Sequence, residues 1–237
     1  MPAPSRLASM PELLVPAAVA EAELVDRKSR FLAQIHPVHD VEQAAEIIRT
    51  VRAAHPHARH TCTALVVEAD EHGAPVQRSN DDGEPAGTAG MPMLQVLLTA
   101  GMTDALAVVT RYFGGVKLGT GGLQRAYSGA VQAALDSTPM LRRVSWERVT
   151  LDVDPAEAGA AEHQLRTLLA PVEGMVEPTE YGATQVRLRA VMPPSAVDQV
   201  AADLATASSG RLTLSRIGAV TLDVPAGVRA STDPPRT

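Results

Sequence analysis

Aromatic residues are scarce, at 3% of a 237-residue chain with one Trp, three Tyr and two Phe. With 45% hydrophobic residues, a core must therefore be built from Ala, Val and Leu rather than from rings. Cysteine occurs once, at Cys62, which excludes an intramolecular disulfide framework and a multi-cysteine zinc site. A lone thiol suits a reducing compartment, so a cytoplasmic location is expected. Lysine occurs only at Lys28 and Lys117, leaving Arg to supply nearly all the positive charge. Long apolar runs are missing too. Residues 105–110 are among the longest and are far shorter than the roughly 20 needed to cross a bilayer. Residues 1–20 carry Pro2, Pro4, Pro11 and Pro16 and no long apolar run, so no secretory signal is expected there. The net charge of −6 counts against a general nucleic-acid binder, although phosphate affinity depends on a local patch rather than on the total.

Punctuation by proline and glycine divides the chain into a flexible leader (1–18), two blocks (19–141 and 142–224) and a flexible tail (225–237). In the first block the pattern predicts a strand at 29–38 and a helix over Val41–Ala54 capped by Asp40 and ended by Pro56. It further predicts a strand at 61–68, a polar loop at 77–90, a helix at 92–98, a buried strand at 104–110, a second glycine loop at 114–122 and a helix at 123–135. The second block reads as strand 145–153, helix 155–169 capped by Asp154, a hairpin of strands 175–181 and 184–191, helix 193–207 and strand 212–224. That β-α-β-β-α-β order is the ferredoxin-like split pattern, and the fold class is α+β.

Two stretches concentrate the chemistry. One runs from Arg78 to Pro92 and holds Asn80, Asp81, Asp82, Gly83 and Glu84 followed by Gly87, Thr88 and Gly90. The other runs from Thr110 to Leu123, with Arg111, Tyr112, Phe113, Gly114, Gly115, Lys117, Gly119, Thr120, Gly121 and Gly122, and continues to Arg125 and Ser128. Gly119–Gly122 directly precedes a predicted helix, where free N–H groups and the helix dipole favour an anion. Thr120 could cap that helix or bond the anion, with Arg78, Arg111, Lys117 and Arg125 nearby. A tight connection with no ligand is the competing reading. The P-loop pattern fails because Gly122-Leu123 follows Gly121, and the Rossmann pattern lacks its last glycine. Asp81, Asp82 and Glu84 could attract a hard cation, but a turn bonding its own backbone is the expectation. His55, His57, His60 and Cys62 do not make a convincing metal set, and His60 is kept as an accessory site residue. No Gly-x-Ser-x-Gly elbow supports a serine hydrolase. Tyr112 and Phe113 could stack bases or simply pack. No metal or cofactor is expected.

These two stretches resemble the YigZ/IMPACT family. The resemblance is carried by Arg111-Tyr112-Phe113-Gly114-Gly115-Val116-Lys117-Leu118-Gly119, by Asp82-Gly83-Glu84-Pro85 with Gly87-Thr88-Ala89-Gly90, and upstream by Lys28-Ser29-Arg30-Phe31 and His60-Thr61-Cys62. It implies a ribosomal protein S5 domain 2-like fold for residues 19–141 and a ferredoxin-like fold for 142–224, a pair similar to the last two domains of elongation factor G. Eukaryotic relatives regulate translation initiation through an additional N-terminal domain that is not matched here. The expected role is thus binding of RNA or a ribosomal surface at Arg78, Arg111, Lys117 and Arg125 around the glycine loops, linked to regulation of translation. Asp82, Glu84, Tyr112, Gly114, Gly115, Gly119, Thr120, Gly121 and Gly122 are expected to shape the site, and Lys28, Arg30 and His60 to assist. Two alternatives remain open: an enzyme acting on a small phosphorylated or carboxylated metabolite, with Asp82 or Glu84 holding a metal or serving as general base and His60 nearby, and a protein-interaction module using residues 142–224. No membrane partner is expected.

Overall fold

The computed structural model describes residues 13–68 and 75–226. The chain is mixed α/β with two antiparallel sheets and divides into two compact units, Met1–Arg142 and Arg143–Thr237.

The first unit opens with β1 (Leu13–Pro16). This strand corrects the expected leader: Val15 is buried, and Leu14 N–H donates to the Gly101 carbonyl at 2.9 Å. Residues 1–12 of that leader lie outside the described residues. The main sheet holds β2 (Ala20–Asp26), β3 (Ser29–Pro37), β4 (His60–Val67), β5 (Val76–Asn80) and β6 (Ala105–Tyr112), in the order β2-β3-β6-β4-β5. Side chains alternate across it with a period of two. Phe31, Ala33, Ile35, Cys62, Ala64, Ala107 and Val109 face one side; Leu65, Val67, Leu106 and Val108 face the other. Helix α1 (Val41–Ala54) covers the second side through Ala44 and Val51, with Ile47 and Ile48 partly buried. Its Asp40 cap accepts from Gln43 N–H at 2.7 Å, as the sequence predicts. Helices α2 (Gly90–Thr99) and α3 (Thr120–Asp136) cover the first side with Met93, Leu97, Ala126, Tyr127, Ala130 and Ala134. Strand β6 is buried along nearly its whole length because both faces are covered, which explains its unbroken apolar run.

Two further strands of this unit depart from expectation. Val76–Asn80, read as loop, is an edge strand paired through its backbone to β4, and its residues from Gln77 on are exposed. Ala20–Asp26 pairs with β3 through a two-residue turn in which Arg27 and Lys28 adopt φ 43° and 65°. Both values lie in the left-handed region that a primed hairpin turn requires. Helix α3 also begins at Thr120, three residues earlier than predicted, so Gly121 and Gly122 belong to its first turn.

Strand β7 (Met140–Val153) runs across the division between the units. In the second unit it pairs with β10 (Val186–Met192), which carries β8 (Met175–Val176) and β9 (Glu180–Tyr181), and with β11 (Ser215–Pro225). Helices α4 (Ala158–Leu169) and α5 (Val197–Ala207) pack on the sheet through Ala161, Leu165, Leu169, Val200 and Leu204. The β-α-β-β-α-β order is present, with corrections at element ends. Asp154 does not cap α4 with its side chain; it sits one turn earlier, its carbonyl accepting from Glu157 N–H. The strand predicted over 175–181 is broken around Pro178 into β8 and β9. Pro225 closes β11, and the remainder of the expected tail from 227 lies outside the described residues.

Candidate functional site

Cross-strand register builds the site. Arg111 lies opposite Phe31 on β3 and opposite His60 on β4, so the three side chains form one row on the face covered by α2 and α3, near the end of the sheet. Arg111 is only 5% exposed. Its Nη1 donates to Glu84 Oε1 at 2.6 Å, and Tyr127 Oη, from α3, donates to the same oxygen at 2.8 Å. The guanidinium lies 5.3 Å from the Phe31 ring centroid and 5.5 Å from that of Phe113. The expectation of Arg111 as an exposed phosphate ligand is therefore corrected: its charge is neutralised internally by Glu84, and its Nε is buried with no hydrogen-bond partner among the described residues.

The loop from Asp81 to Ala89 is fixed by its acidic residues. Asp81 accepts from the N–H groups of Gly87, Ala89 and Gly90 at 2.8, 2.9 and 2.8 Å, filling the N-terminus of α2 with an internal anion. Burial pushes this carboxyl up, but the three N–H donors outweigh it and hold it below its ordinary range. The Asp82 carboxylate accepts from Thr61 N–H at 2.7 Å and pairs with Arg52. Asp81 and Asp82 are thus both engaged by the protein's own donors. Among the described residues, no group of three or more His, Cys, Asp or Glu side chains converges as a metal site. Cys62 sits beneath the loop, donating to the Asp81 carbonyl, and burial pushes its thiol up to about 12. Burial likewise raises the Tyr127 phenol, helped by Cys62 and Glu84.

His60 Nδ1 meets the Asp82 carbonyl at 2.8 Å. A carbonyl only accepts, so Nδ1 carries a proton. In the neutral ring Nε2 then presents its lone pair, 4.0 Å from Glu84 Oε1.

Above this row lies a cleft of about 480 Å³. The Arg111–Glu84 pair and Leu123 line it from within, Phe113 forms part of its wall, and Arg59, His60, Lys117 and Thr120 stand around it. Arg59 and Lys117 are exposed and have no ion-pair partner among the described residues. Gly119, at φ 75°, leads into α3 without a side-chain cap, so the N-terminus of α3 faces the cleft uncapped, unlike those of α1 and α2. Gly114 is required by packing: a Cβ there would lie 2.0 Å from the backbone carbon of Lys28 in the β2–β3 turn. Gly115, at φ 87°, supplies a left-handed turn in open space.

The remaining expected residues scatter. Arg78 is exposed on β5 and is not part of the cleft. Arg125 lines a separate groove between α2 and α3, with Gln95 and Ser128. Arg30 pairs with Glu23 at 2.6 Å on the surface, and Lys28 is exposed in its turn. Tyr112 bonds His55 Nδ1 through its hydroxyl at 2.9 Å on the α1 side. Sequence reasoning missed Arg59; its position just before a strand that opens on His60 was the available signal.

Residues 27–135 match the Impact N-terminal domain family. The chain is 39% identical to IMPACT family member YigZ of Escherichia coli over 208 residues, 88% of this chain and 99% of that one. It is 42% identical to IMPACT family member YvyE of Bacillus subtilis over 146 residues, 62% of this chain and 66% of that one. A crystal structure of a hypothetical protein superposes with a TM-score of 0.54 at 38% identity, covering 86% of this chain and 97% of the other. With so much of its length shared with YigZ, the chain belongs to the IMPACT family.

Proposed function

We propose that this protein binds RNA or an RNA-rich ribosomal surface in the cytoplasm through the cleft at the N-terminus of α3, in a role linked to control of translation. The observation that carries the reading is the combination of two uncompensated cations, Arg59 and Lys117, with an uncapped helix N-terminus on one cleft. Positive potential is concentrated there in spite of a net charge of −6. The resemblance to relatives that regulate translation supports the same direction. The order β11-β7-β10-β8 in the second unit supports a ferredoxin-like assignment for residues 142–224, and we carry the S5 domain 2-like assignment for 19–141 as part of the same proposal. Of the residues first expected to bind, Lys117, Thr120, Gly119 and His60 stay in the proposed contact surface, with Arg59 and Phe113 added. Arg111 and Glu84 become the buried support beneath it. The test is mild crosslinking in the protein's own cells followed by purification. Ribosomal RNA fragments should co-purify with the wild-type chain and be depleted with Lys117→Ala/Arg59→Ala; an eluate without RNA contradicts the reading.

A second reading is favoured by His60. It lines the cleft with Nδ1 fixed on the Asp82 carbonyl and Nε2 4.0 Å from Glu84 Oε1, an imidazole held where a bound ligand could exchange a proton with it. On that reading the cleft takes a small phosphorylated or carboxylated metabolite, whose anion sits at Lys117 and α3. A thermal-shift panel of such metabolites separates the two: stabilisation lost in Lys117→Ala supports the enzyme, and no stabilisation by any of them contradicts it.

A further inference from the structure

Phe113 is one of eight large apolar side chains left exposed among the described residues, at 44%, in a chain with only two Phe. It follows the buried strand β6, where a ring would bury readily, yet it sits in the cleft wall. Its ring lies 5.5 Å from the Arg111 guanidinium, itself held by Glu84 and by the Phe31 ring. Arg111 therefore serves as a fixed cationic backing for the ring rather than as a ligand, and Phe113 is braced on that side while open to the cleft. Lys117, four residues on, and Thr120 at the start of α3 line the same cleft. Gly114, packed against the Lys28 backbone, and Gly115, at φ 87°, form the turn between Phe113 and Lys117.

Resting on the RNA-binding reading above, we infer that Phe113 is a stacking platform for one unpaired nucleobase, whose adjoining phosphate is held between Lys117, Arg59 and the N-terminus of α3. The site then takes a single strand and not a duplex, because a paired base keeps both faces inside its stack. It is tolerant of sequence, since every base offers a π-face and the planar donor of this cleft, Arg59, is assigned to the phosphate rather than to a base edge. The same chemistry is present in a free nucleotide, so the strand and the mononucleotide must be told apart. An open cleft with cations at its rim favours the strand, which adds phosphates beyond the first.

The test uses the full chain and three probes: a single-stranded RNA 12-mer carrying 2-aminopurine, the same RNA in a duplex, and AMP. Binding of the single strand should change the 2-aminopurine fluorescence as the base stacks on Phe113. Phe113→Ala should weaken binding on the order of tenfold or more and abolish that change, while Phe113→Trp should retain both. Far-UV circular dichroism of Phe113→Ala should match wild type and its melting temperature should change little, since the ring is 44% exposed and lies outside the core clusters of the sheet. Strand binding that Phe113→Ala leaves intact overturns the platform and spares the phosphate-binding reading. Equal affinity for duplex and single strand overturns it as well, as does AMP binding as tightly as the 12-mer. No binding of any RNA overturns this inference and the RNA-binding reading together.

Discussion

Arg111 and Glu84, 27 residues apart in sequence, form an ion pair of 2.6 Å whose side chains are 6% and 4% exposed. Charges removed from water in this way cost free energy that only mutual pairing offsets. Removing one partner strands the other. Arg111→Ala and Glu84→Ala should each destabilise the fold by about 3–5 kcal/mol in urea or guanidinium titration. The double change Arg111→Met/Glu84→Leu should cost much less than the sum. The exposed pair Arg30–Glu23 is the control: Glu23→Ala should change stability little, as surface pairs do.

Asp81 binds the loop to α2 through three backbone N–H groups. Asn offers a single acceptor oxygen and no charge, so Asp81→Asn should cost about 2–3 kcal/mol. Its carboxyl is held below the ordinary value of about 3.9 in the folded state. A lowered folded pKa contributes stability that is fully present above the unfolded value and is lost as pH falls through the folded one. Wild type should therefore lose stability below about pH 4 more steeply than Asp81→Asn, and the two stability curves should converge in acid.

Gly114 and Gly87 separate steric from torsional requirements. A Cβ at Gly114 would overlap the Lys28 backbone, and backbone cannot yield as a flexible side chain can. At Gly87, φ is 72° and nothing lies within 4 Å of the added atom. Gly87→Ala should cost only the left-handed penalty, about 1–2 kcal/mol, whereas Gly114→Ala should cost more and shift the β2–β3 turn. Thermal melts of both variants, with amide exchange at residues 26–29, read the difference.

Sequence patterning revealed the elements whose signals are local. Asp40 with the apolar spacing of 41–54 marked α1, and the unbroken run at 104–110 marked β6. It failed where an element owes its form to a neighbour. Val76–Asn80 carries polar, exposed residues and is a strand only because β4 offers its backbone. Ala20–Asp26 places Glu21, Glu23 and Val25 on an exposed face, so its alternation is blurred by the hydrophobic Val25. At the site, the residue types were legible but their directions were not. Arg111 reads as a surface cation until its register with Phe31 and His60 turns it inward toward Glu84. Asp81 reads as a solvated turn until the start of α2 folds over it.

Phosphate binding at Arg59, Lys117 and the start of α3 is tested most directly by the salt dependence of single-stranded RNA affinity. For the wild-type chain, log Kd plotted against log salt should be linear and steep. Arg59→Ala and Lys117→Ala should each weaken binding and reduce the slope by roughly 0.7, the contribution of one released counterion on a single strand, while Arg78→Ala should leave the slope unchanged. An affinity indifferent to salt, or a slope that neither substitution alters, would contradict the assignment of this cleft.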